Sequence, residues 1–214
     1  MTDRDAMTDN ELRTALAGRV ADPVWLASAL DRVAVEPAAI AGLFPAVGRR
    51  CGRDPLPDDG CELVGWSVDE AARALLLTAL PLLGPALTAE VRALYRYGDA
   101  AEKRAVLCAL PRLDIGDGGV ELLHDAIRTN DPRLVAAALG PYARRLDDPA
   151  WRQAVLKCVF MGIPLRLVDG LAQRADGELA RMLAGLAQER RAAGRTMPAD
   201  ATTLLDRLTR TGAT

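Results

Sequence analysis

The chain has 214 residues, half of them apolar and only 4 % aromatic, with a formal net charge of −2. That length buries a full core as one domain or as a short stack of helical repeats, and the near-balanced charge excludes general electrostatic capture of nucleic acid or an anionic bilayer. No run approaches the ~20 apolar residues of a spanning helix, and the polar opening MTDRDAMTDNELR lacks the apolar centre of a secretory signal. The expected location is therefore the cytoplasm.

Alanine and leucine dominate the apolar set, which points to close-packed helices rather than aromatic-rich sheets. Helices are predicted near 10–20, 22–34 and 36–47, followed by an irregular segment, Arg49–Gly65, that carries Gly52, Pro55, Pro57 and Gly60. That segment is expected to cover one end of a stack, with Arg49, Arg50 and Arg53 as a solvated rim rather than an anion site. From Ser67 onward helices are predicted near 67–79, 88–97, 99–112, 118–129, 131–145, 148–162, 164–175, 177–193 and 200–210.

The starts are marked by Asp-Pro at 22–23, 131–132 and 148–149, each an N-cap oxygen followed by a ring preset for the first helical position. Ser67 with Glu70 and Asp99 with Glu102 have capping-box spacing. Short helices joined by tight turns predict an all-α fold of stacked antiparallel helices, either a HEAT-like α-solenoid or a compact αα superhelix. The whole chain, 1–214, is read as one helical domain: N-terminal helices and loop (1–65), a helical stack (66–195), and a C-terminal helix and tail (196–214).

Cysteines stand at 51, 61, 108 and 158, without the close pairs that bind zinc or exchange thiols. One histidine, His124, shares a helical face with Val120, Leu123 and Ile127 and reads as a packed or groove-lining residue. No phosphate-cradling glycine loop or dinucleotide fingerprint is present. No catalytic residue, metal site or cofactor is therefore assigned.

What stands out is charge on apolar helices. The segment DPAWRQAVLKCVFMG (148–162) is apolar almost all the way round, which predicts an enclosed helix, yet it carries Gln153 and Lys157 one turn apart. Arg73 is flanked by Leu76, Leu77 and Leu80, and the stripe Leu179, Met182, Leu183, Leu186 steps onto Arg190. Lys157 is one of only two lysines among 27 basic residues. A flexible point charge there suits a phosphate, a carboxylate or a carbonyl. Arg73, Gln153, Lys157 and Arg190 are thus the candidate ligand-binding set for a small polar or anionic metabolite. Internal ion pairs, with acids such as Asp69, Asp169 or Glu189, are the alternative, in a purely structural helical scaffold whose surface docks protein partners. A lysine-dependent enzyme is a third reading, for which no acid partner is visible.

The blocks LFPAVGRRCGRDPL (43–56), WSVDEAARALLL (66–77), LYRYGDAAEKRAVLCALPRL (94–113), RTNDPRLVAAAL (128–139), DPAWRQAVLKCVF (148–160) and GLAQRADGELARMLAGLAQERRAAGR (170–195), in this order and spacing, resemble the EboA family. The resemblance implies a helical protein of bacterial secondary-metabolite clusters, concerned with moving a metabolite or its precursor toward the cell envelope. It implies as partners a membrane prenyltransferase of the UbiA type, a sugar-phosphate cyclase and TIM-barrel proteins. By position it carries over Arg73, Thr129, Asn130, Trp151, Gln153, Lys157, Arg174, Glu189, Arg190 and Arg195, of which Asn130, Arg174, Glu189 and Arg195 form a secondary candidate set. Asp176 stands where the family pattern has asparagine, and Gln188 where it has histidine.

Overall fold

The computed structural model describes residues 9–57 and 65–211. Among them are twelve α-helices and no β-strand: α1 (Asp9–Leu16), α2 (Pro23–Val35), α3 (Ile40–Arg50), α4 (Val68–Thr78), α5 (Gly84–Tyr97), α6 (Ala100–Ala109), α7 (Val120–Arg128), α8 (Pro132–Ala138), α9 (Asp148–Met161), α10 (Leu171–Arg174), α11 (Gly177–Ala192) and α12 (Ala199–Thr211). The all-α class follows. One isolated antiparallel bridge, Pro55 with Ser67, pins the segment before α4. The middle of the expected loop over residues 49–65, with Cys61, lies outside the described residues.

The packing divides into two compact units, Met1–Leu122 and Leu123–Thr214. In the first, α1, α2, α3 and α6 pack against α4, and α5 packs on α6. Every residue of α4 from Val68 to Leu77 is buried. Its start is fixed by Glu70 Oε2, which accepts from the Ser67 backbone N–H at 2.9 Å. Leu75, Leu76 and Leu77 then each contribute roughly 1.5–3 kcal/mol of apolar burial. At the α5–α6 turn, a Cβ on Gly98 would stand 2.7 Å from the Leu94 carbonyl oxygen and 2.9 Å from Glu102 Cβ, so only glycine fits.

In the second unit α8 packs on α9, α9 on α11 and α11 on α12. Asp22 and Asp131 cap α2 and α8 as their Asp-Pro pairs predict, accepting from the N–H groups of Trp25 and Arg133. At the third pair the cap lies one residue earlier: Asp147 accepts from Ala150 N–H at 2.8 Å, and Asp148 sits in the first turn. The expected helices over 131–145 and 164–175 are each interrupted. The first stops at Ala138 before Gly140 and Pro141, whose ring supplies no N–H, and resumes as a 3-10 turn over Pro141–Arg145. The second is a 3-10 turn over Leu165–Leu167 and the four-residue α10, separated by Gly170 at φ 67°.

Helix α9 corrects one expectation. Trp151, Ala154, Val155, Cys158 and Val159 are buried, but Gln153 is exposed and Phe160 is 66 % exposed. The helix has a solvent face after all, because Phe160 lies on its outer side.

Candidate functional site

The charges singled out above have definite partners. In the first unit Arg73 is fully buried, and its Nη1 donates to Asp69 Oδ2 at 2.5 Å, one helical turn back. Its Nε donates to the Phe44 carbonyl at 3.1 Å, and its guanidinium lies 5.5 Å from the centroid of the Phe44 ring. Nη2 faces Glu102 Oε1 at 3.8 Å without a hydrogen bond. Glu102 is itself held by the Asp99–Glu102 capping box. Beside this group, the Arg104 guanidinium pairs with Glu70 and donates to the Gly65 carbonyl. Five charged groups from two helices thus form one internal network, which offsets the cost of taking these charges out of water.

Lys157, half-buried on α9, donates from Nζ to the carbonyls of Ile127 at 2.6 Å and Thr129 at 2.7 Å. These oxygens belong to the C-terminal end of α7, where the last carbonyls have no intrahelical donor and the helix dipole favours a cation. The Thr129 hydroxyl closes the same turn by donating to Ala126 O. This geometry accounts for lysine in a chain that otherwise uses arginine: two converging carbonyls at one helix end suit a compact ammonium with rotatable donors better than a planar fork. No carboxylate among the described residues pairs with Lys157.

Arg174 bridges the loop before α9. It donates to Ala143 O and Leu146 O, each at 2.9 Å, and to Asp148 Oδ1 at 2.8 Å, while its guanidinium stacks 4.7 Å from the centroid of the buried Trp151 ring. Arg152 makes a bidentate contact to Asp176, which also caps α11 through Leu179 N–H. The Arg152 hydrogen bonds hold the Asp176 carboxyl below the usual carboxylate range. Sequence reasoning did not find the Arg152–Asp176 and Arg104–Glu70 pairs, since their partners lie 24 and 34 residues apart.

The remaining candidates are peripheral. Arg190 is half-buried and donates from Nε to Thr196 O at 2.9 Å, in the turn that follows α11. Gln153, Asn130, Glu189, Arg195 and Gln188 are exposed, and His124 is half-buried. Arg73 thus belongs to the first unit, and Gln153, Lys157 and Arg190 to the second, where Lys157 and Arg190 hold separate partners.

None of the cysteines among the described residues is primed as a nucleophile. Burial pushes the Cys51 thiol up to about 11 and the Cys158 thiol up to about 12, against the lowering pull of Arg73 and Lys157 respectively. Cys108 rises to about 12 for the same reason, with Arg104 opposing. Thiols in that range stay protonated at neutral pH and are poor nucleophiles. No group of three or more His, Cys, Asp or Glu side chains among the described residues is arranged to hold a metal.

An open depression of about 430 Å³ is lined by Gly84, Pro85, Thr88, Ala89, Arg92 and Ile115. No helix among the described residues is long and apolar enough to cross a membrane. No curated protein and no solved structure matches the chain. The family model described as "Metabolite traffic protein EboA" matches residues 58–206, so the chain belongs to the EboA family and its general role is in metabolite traffic.

Proposed function

We propose that this chain serves metabolite traffic as a helical docking module that gathers enzymes of a secondary-metabolite pathway. The observation that carries this reading is the commitment of the motif cations to the protein itself. Arg73 is matched by Asp69 and Phe44 O, Lys157 by the end of α7, and Arg174 by two carbonyls, Asp148 and the Trp151 ring. Residues used in this way lock helix ends and leave the outer surface for recognition. Val24, Val35, Leu83, Tyr97 and Phe160 place large apolar side chains on that surface. The UbiA-type prenyltransferase, the sugar-phosphate cyclase and the TIM-barrel proteins of such clusters are the proposed partners, and the first would bring the chain to the membrane.

Pairwise copurification of the chain with each of these proteins tests the reading. Retention of at least one, weakened by Phe160→Glu or Tyr97→Glu with the fold intact by circular dichroism, is the expected result. Retention of none would overturn it.

One observation favours a second reading, in which the chain binds a small polar or anionic intermediate at Gln153 and Lys157. An ammonium has three donors, and carbonyls take two of those of Lys157. The third would meet an oxyanion beside the exposed Gln153 amide, one turn earlier on α9. Calorimetry and native mass spectrometry with pathway intermediates decide it: heat and a bound mass that vanish in Gln153→Ala support it, and their absence removes it.

A further inference from the structure

Building on the docking reading, we propose that the outer face of α5 seats an acidic amphipathic helix of a partner protein. Leu87, Val91, Leu94 and Tyr95 are the buried residues of α5. At 100° per residue, Ala86, Ala89 and Ala93 fall on the opposite side. Ala86 and Ala89 are exposed and Ala93 is half-buried. Side chains this small let a second helix axis approach to about 8–10 Å. Arg92 and Arg96, one turn apart and both exposed, run along one edge of this strip. Leu83 and Tyr97, 76 % and 82 % exposed, run along the other. The open depression lies on the arginine edge at the N-terminal half of the helix, with the buried Ile115 among its walls, and offers room for a partner's apolar side chains.

Charge selects the occupant. Arg92 is held at the depression by its Nε hydrogen bond to Gly118 O at 3.0 Å, and it meets Glu121 only at 3.5 Å, with both side chains open to water. A contact of that kind is weak and exchanges readily for a partner's carboxylate. Arg96 lies 5.8 Å from the Tyr97 ring centroid and pairs with no carboxylate among the described residues. The face is therefore an apolar strip with two cations at i, i+4 spacing on one edge and the half-buried Glu90, between Leu83 and Tyr97, on the other. Its complement is a helix whose apolar stripe is flanked by Asp or Glu at the same spacing, because opposed charges set register while the apolar strip supplies contact. The 14 residues of α5 span about 21 Å, enough for several turns of such a helix.

The test places a photo-crosslinking amino acid at Ala89 of the full chain in its native cells, with Val24 and Phe160 as separate reference positions. The expected product at Ala89 is an adduct to one defined peptide with an acid-flanked apolar stripe. Its yield falls about tenfold in Arg92→Glu/Arg96→Glu, and also in Ala89-adjacent Ala86→Trp, which blocks approach without changing charge. No adduct at Ala89, an adduct to lipid or to a basic or uncharged peptide, or one insensitive to charge reversal would overturn the proposal. A defined protein adduct at Val24 or Phe160 with none at Ala89 would remove this face but leave the docking reading intact. No protein adduct at any of the three positions would remove both.

Discussion

The guanidinium of Arg174 lies 4.7 Å from the ring centroid of Trp151, sealing a fully buried indole while its own donors close the loop that precedes α9. Three hydrogen bonds and a stacked cation converge on one side chain that is still 18 % exposed.

Arg174→Ala should therefore cost about 2–4 kcal/mol, the range for losing hydrogen bonds to a charged group and leaving partly buried carbonyls unpaired. Arg174→Lys should recover only a fraction, since an ammonium neither forks nor stacks in the same way. Urea unfolding gives the stability. Fluorescence in a Trp25→Phe/Trp66→Phe background reports Trp151 alone, and its emission should shift to the red in the alanine variant.

For Lys157, the two carbonyls at the end of α7 set the expectation. Lys157→Met should cost about 2–4 kcal/mol, and amide hydrogen exchange should rise across Leu123–Asn130 before it rises in α11. An unchanged exchange pattern with unchanged stability would contradict the capping role. Borohydride reduction with carbonyl intermediates should leave Lys157 unmodified, because its amine is already committed as a hydrogen-bond donor.

Arg73→Met removes the cation from a buried acid pair and should cost about 3–5 kcal/mol. The damage comes chiefly from the unpaired Asp69 carboxylate, so Asp69→Asn in the same chain should restore part of the loss. A double-mutant cycle by chemical denaturation measures the coupling. Simple additivity of the two changes would deny the network.

The described cysteines give a pH prediction. A thiol whose pKa is raised on folding from 9.0 to about 11 or 12 holds its proton in the folded state after the unfolded chain has lost it. Its contribution is complete below pH 9 and is lost as pH rises from there through the folded value. Stability should thus decline in alkaline solution, and Cys51→Ser/Cys158→Ser should flatten that decline. Iodoacetamide at pH 8 should leave Cys51 and Cys158 unlabelled until denaturant is added.

Asp176 separates cap from charge. Asp176→Asn keeps an N-cap acceptor but gives up the bidentate charge pair with Arg152, so it should destabilise less than Asp176→Ala, which loses both. Because the Arg152 bonds lower the Asp176 pKa, the wild-type advantage over Asp176→Asn is present near neutrality and fades as pH falls through the carboxylate range. Thermal unfolding from pH 7 to 3 reads it.

Helix starts were the most legible part of the sequence, because capping is a local matter of one side-chain oxygen and two or three backbone donors, as at Asp22, Asp131 and Asp99. The breaks at Gly140–Pro141 and Gly170 were harder to read, since the flanking apolar spacing continues across them. The Arg73–Asp69 pair could be anticipated from i, i+4 spacing. The partners of Lys157 could not: backbone carbonyls 28 and 30 residues away have no residue type to announce them. Phe160 misled in the opposite sense, because a surface aromatic and a core aromatic are the same letter.

The enclosure of α4 makes the peptide bond after Arg73 a clock. Arg73 has no exposed surface, and its neighbours from Val68 to Leu77 are equally hidden, so trypsin has no access to that bond in the folded chain. Cleavage there must wait for the helix to be released from its surroundings, whereas exposed arginines such as Arg13, Arg96 and Arg210 offer cuts without it. The time course of this single fragment in a digest therefore follows the opening of the first unit's interior.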